Sequence, residues 1–153
     1  MNKRQASILL AGVGLALVAL SIVLYLNWEA GGGPQIQATQ TAQAAMFTGK
    51  DGFFQLGYRP DSGKIPLNSL HSWTIHLQDS SGQPVSGAQI AIDGRMPAHG
   101  HGLPTQPLVT ADLGGGDYRV EGLRFQMSGE WVVEFTVQAN GLTDIVPVTF
   151  TLR

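Results

Sequence analysis

The chain has 153 residues, a formal net charge of −2 and no cysteine, so a disulfide framework, a thiolate metal site and a cysteine nucleophile are all excluded. No run of Lys or Arg lies beyond the extreme N-terminus, and the positive footprint that nucleic-acid binding requires is missing. With the apolar and linker segments set aside, the remainder suits one domain of roughly 100 residues around a single core.

Residues 1–5 carry Lys3 and Arg4 and read as a cytoplasmic N-terminus, and no charged residue follows from Ala6 to Leu26. About 20 apolar residues at 1.5 Å rise span a hydrocarbon core of roughly 30 Å, so residues 6–28 read as one transmembrane helix. Tyr25 and Trp28 then fall at the lipid–water boundary, and holding Lys3 and Arg4 inside places the rest of the chain on the extracytoplasmic, periplasmic side. The rival reading is a cleaved secretory signal. Its apolar region usually runs about 7–15 residues, shorter than this one, and Asn27-Trp28-Glu29 fits a small-x-small cleavage site poorly. Either way the domain is exported.

Residues 29–46 hold Gly31-Gly32-Gly33-Pro34 and then Gln, Ala and Thr without apolar periodicity, the composition of a flexible tether. As a coil it reaches about 20–25 Å from the membrane.

From residue 47 to 153 the pattern is one of short β-type runs separated by turn residues. Phe53–Tyr58 is the first. In Leu70–Gln78, His71, Trp73, Ile75 and Leu77 share one face, because side chains alternate along a strand. Asp79–Pro84 is a turn, and Val85–Ile92 reads as a strand with Val85, Ile90 and Ile92 in the core. Met96–Pro107 reads as an irregular loop stiffened by proline, followed by a brief edge strand over Leu108–Thr110 and a glycine turn over Leu113–Asp117.

Tyr118–Glu121 alternates, and Leu123–Met127 is a short extended piece. Trp131, Val133, Phe135 and Val137 line one face of the next strand. Asn140-Gly141 is a two-residue hairpin signal joining it to Thr143–Leu152, where Ile145, Val148, Phe150 and Leu152 are apolar. No sustained 3.6-residue period appears beyond residue 46. The expected fold is all-β: an immunoglobulin-like antiparallel β-sandwich of seven or so strands, preceded by one N-terminal transmembrane helix.

The runs Trp73–Asp79, Gly82–Ala88, Met96–Gly102, Gly116–Tyr118 and Phe125–Trp131 together resemble the YtkA-like domains, which are grouped with FixH-like proteins. The combination of Met-Pro-x-His-x-His-Gly with Gly-x-Tyr and Met-x-Gly-x-Trp carries the resemblance, which covers most of residues 50–152. It implies a membrane-anchored, externally facing β-sandwich. FixH-like members are associated with building copper-containing respiratory oxidases, and the resemblance extends copper handling to this chain as an expectation.

The residues themselves leave three readings open: copper, another metal at the same donors, or a purely structural loop. A His-x-His loop flanked by methionines offers imidazole and thioether donors, a mixture that suits copper. His99 and His101 would be the primary ligands, with Met96 and Met127 for the remaining positions and His71 or His76 in reserve. Alternatively the two imidazoles tie an irregular loop to the sandwich by hydrogen bonds, and the methionines fill gaps in the core. His71 then stands at the core edge and His76 in solvent.

No nucleophile elbow, P-loop or dinucleotide fingerprint is present, and no helix follows Gly114-Gly115-Gly116 to bind phosphate, so the chain is not expected to be an enzyme. Two functions follow. One is copper binding for metal handling or assembly of a cuproprotein; the other is a non-catalytic interaction or scaffold module of a membrane complex.

Overall fold

The computed structural model describes residues 45–153, so the N-terminal segment, the anchor over 6–28 and most of the tether lie outside the described residues. Among those described there are nine strands and no helix. They are β1 (Phe47–Thr48), β2 (Phe54–Pro60), β3 (His71–Asp79), β4 (Gln89–Met96), β5 (His101–Gly102), β6 (Leu108–Gly114), β7 (Asp117–Leu123), β8 (Gly129–Ala139) and β9 (Leu142–Leu152). They form two antiparallel sheets, ordered β1-β2-β3-β7-β6 and β5-β4-β8-β9.

Period-2 alternation builds the interior. Trp73, Ile75 and Leu77 of β3 and Trp131, Val133, Phe135 and Val137 of β8 are all fully buried, while their odd-phase neighbours face out. The two inner faces meet in one core, whose aromatic centre joins Trp73, Phe125, Trp131 and Phe150 at ring separations of 5.1–5.8 Å. Tyr58 stacks on Trp73 at 4.4 Å.

Asn140 and Gly141 have φ of 53° and 75°, the left-handed pair that a two-residue hairpin demands, and Ala139 pairs with Leu142 across it. Tyr118 fastens the 85–88 connection to the core. Its buried hydroxyl donates to the Val85 carbonyl at 2.8 Å and accepts from the Ala88 N–H at 3.0 Å.

Three local expectations change. The strand expected over Val85–Ile92 runs over Gln89–Met96 instead. Val85 is buried, but it reaches the sheet by a single bond from its N–H to the Leu77 carbonyl at 3.0 Å, ahead of Gly87 at φ 72°. In β9 the inward set is Asp144, Val146 and Val148, leaving Ile145 on the outer side. The supposed loop over Met96–Pro107 opens as a hairpin, because His101-Gly102 pairs with Arg95-Met96.

A candidate metal centre at the hairpin end

The end of β4 pairs with the start of β8 and the end of β7 with the start of β3, and Phe125, 5.5 Å from His71 and 5.1 Å from Trp131, brings these ends of the two sheets together. The β4–β5 hairpin projects there. Its tip is closed by the N–H groups of His99 and Gly100, which donate to the Met96 carbonyl at 3.1 and 3.0 Å. Beyond it the Leu103 N–H returns to the Gly94 carbonyl at 3.1 Å, and the Gln126 amide donates to the Gly102 carbonyl at 3.2 Å. The last bond sets the segment bearing Met127 beside the hairpin.

The four sequence-predicted ligands thus lie at one end of the fold but in different environments. His99 and His101 are exposed, with ring centres 6.1 Å apart and planes 16° from parallel. Among the described residues neither ring makes a hydrogen bond of the tying kind weighed above; the tip is held by backbone instead. Met127 is partly exposed, while Met96 is 1% exposed.

Met96 and Met127 also serve packing. Met96 is the direct cross-strand partner of His101, so the two side chains leave the same face of the sheet. The methyl end of Met96 fills the space beside Gly129, where any Cβ would collide with it, and Gly129 has φ 125°, a region suited to glycine. The Met127 carbonyl accepts the Trp131 indole N–H at 3.0 Å. In the Met-x-Gly-x-Trp motif, then, the glycine, the tryptophan and the methionine backbone have packing roles, and the Met127 side chain is 37% exposed.

Of the reserve histidines, His71 stands at the core edge, its Nδ1 3.0 Å from the Ser69 carbonyl and its ring 5.5 Å from that of Phe125. Its Nε2 is buried without a partner among the described residues. His76 lies in the far half of β3 with Nδ1 2.7 Å from Asp117, a pair that is half-exposed rather than free in solvent. Among the described residues no three His, Cys, Asp or Glu side chains gather closely enough to hold a metal.

The hairpin tip itself carries no formal charge. No charged side chain occurs from Met96 to Ala111, and the preceding Arg95 leans away toward Glu134 at 3.8 Å, which also pairs with Lys50 at 2.9 Å. Sequence reasoning missed Gln126 as the clamp on the hairpin, since an amide beside a methionine carries no periodic signal. It also missed an open cleft of about 420 Å³ at the opposite end, lined by Gly87, Gln89, Gln138, Asn140 and Thr143 among others. That cleft has polar amides but no titratable group.

The donor set fits a soft or borderline ion: imidazole serves either copper oxidation state, and thioether sulfur favours Cu(I). The two imidazoles, with ring centres 6.1 Å apart, are near enough for both to reach one ion once their side chains rotate to point a nitrogen at it.

No curated protein and no solved structure matches the chain. A family model described as YtkA-like matches residues 60–136, just over half of the chain and the part that runs from the end of β2 through the hairpin into β8. The chain belongs to the YtkA-like family.

Proposed function

We propose that this is a non-catalytic, membrane-anchored protein whose exported β-sandwich takes up copper at the β4–β5 hairpin, for buffering or delivery to a cuproprotein outside the cytoplasmic membrane. The strand order supports an immunoglobulin-like topology: β2-β3-β7-β6 stand in the places of strands A-B-E-D, and β4-β8-β9 in those of C-F-G. The observation that carries the copper reading is the pair of exposed imidazoles, His99 and His101, at a backbone-braced tip. Met127 supplies the accessible thioether, and Met96 lies beneath His101. Bound there, copper would be cargo held by exchangeable side chains.

The test is a titration with Cu(I) and Cu(II) against a competing chelator. Binding tighter than micromolar that is lost on replacing His99 and His101 with alanine supports the reading, and no binding tighter than micromolar ends it.

One observation favours the second reading, a protein-interaction module of a membrane complex. Leu67, Leu70 and Leu108 are 48%, 68% and 65% exposed; Leu67 pairs with Phe125, Leu108 with Glu121, and Leu70 directly precedes β3, which puts all three at the hairpin end. Under that reading, charge substitutions at Leu70 and Leu108 abolish co-purification of a partner while His99→Ala and His101→Ala do not.

A further inference from the structure

Resting on the copper-binding reading, we infer that the hairpin carries half of a metal centre and that a second copy of this chain supplies the other half. Copper(II) and zinc commonly take four ligands, and in a chain without cysteine the strong ones are nitrogen or oxygen donors. The hairpin offers two imidazoles, and among the described residues no third His, Asp or Glu joins them. The Met127 thioether is a good donor only to Cu(I), so for divalent ions the site stops at two strong ligands.

The hairpin is placed for a second copy to complete it. β5, which carries His101, is an edge strand of its sheet, and both rings are exposed. The hairpin tip itself carries no formal charge from Met96 to Ala111, and the ion provides the attraction between two tips. With ring centres 6.1 Å apart on an exposed tip, the two imidazoles are close enough to reach one ion by side-chain rotation, and a second pair can fill its remaining positions. A two-fold axis through the ion then relates the tips, each copy presenting the same patch to the other.

The experiment uses the full chain in mild detergent, with Cu(II) and Zn(II) added separately, followed by sedimentation velocity and metal analysis. The protein mass should double as metal is added, saturating at one ion per two chains and reverting with EDTA. The Cu(II) paramagnetic resonance spectrum should show coupling to four nitrogens. His99→Ala and His101→Ala, or His99→Gln as a milder change, should keep the far-ultraviolet dichroism of the native chain and its mass without metal. One divalent ion per chain with unchanged mass overturns the inference and leaves the copper reading intact, as does tight Cu(I) binding with no Cu(II)-dependent dimer. A metal-induced dimer that persists without both histidines also overturns it. Failure to bind copper in either oxidation state removes both.

Discussion

Replacing Asp144 with asparagine tests what fastens the loop between β1 and β2 to β9. The carboxylate is 1% exposed and accepts four backbone N–H groups. Oδ1 takes those of Asp51 at 2.9 Å and Ile145 at 2.8 Å; Oδ2 takes those of Phe53 at 2.9 Å and Phe54 at 3.3 Å. Asparagine keeps the shape and two of the bonds, but turns an N–H₂ group toward two other donors. Losing two charge-assisted bonds and stranding their donors costs about 2–4 kcal/mol, a large share of the roughly 5–15 kcal/mol that holds a domain folded. At about 4–8 °C per kcal/mol for a domain near 100 residues, the melting temperature falls by roughly 10–30 °C.

The same variant has a pH signature. Burial raises the Asp144 carboxyl pKa, but the four N–H donors outweigh it and hold the group below its ordinary value. A depressed folded-state pKa gives stability that is complete above the unfolded value and lost as pH falls through the folded one. Urea unfolding of both proteins from pH 7 downward should therefore show the gap narrowing only below about pH 4. An asparagine variant within about 0.5 kcal/mol of the native protein at pH 7, or a gap that stays constant through the acid range, refutes the reasoning.

Gly129→Ala should cost about 2–4 kcal/mol, from backbone strain and from collision with Met96. In a Met96→Ala background only the strain remains, so the two changes couple in a double-mutant cycle, and strict additivity in urea unfolding contradicts the packing described. Tyr118→Phe should lose about 1–3 kcal/mol by stranding the Val85 carbonyl and the Ala88 N–H, measured by thermal unfolding; a neutral change means that the 85–88 connection is held otherwise. Gly141→Val places a β-branched residue at φ 75° and should cost about 1–3 kcal/mol, with hydrogen exchange rising first at the β8–β9 turn.

The strands read most clearly from sequence are those whose alternation is unbroken. β3 and β8 each set a tryptophan in phase with aliphatic residues, and Asn140-Gly141 specifies its turn by backbone preference alone. β9 misleads because Ile145, Val146 and Val148 are apolar on both phases, and the inward phase is marked by Asp144, which hydropathy assigns to solvent. Val85 misleads because burial of one residue does not make a strand.

At the candidate site, His99 and His101 are neighbours in the structure as in the sequence, since a hairpin tip is local. The surroundings of Met96 depend on Gly129, which lies more than thirty residues away, and no local pattern carries that information. The clamp from Gln126 to Gly102 is hidden for the same reason.

X-ray absorption at the copper edge of the loaded protein reads the metal's neighbours without an intermediary. Copper at the hairpin gives imidazole scattering with nitrogen neighbours at about 2.0 Å, lost when His99 and His101 are both replaced by alanine. A spectrum without imidazole, or one that the double replacement leaves unchanged, contradicts binding there.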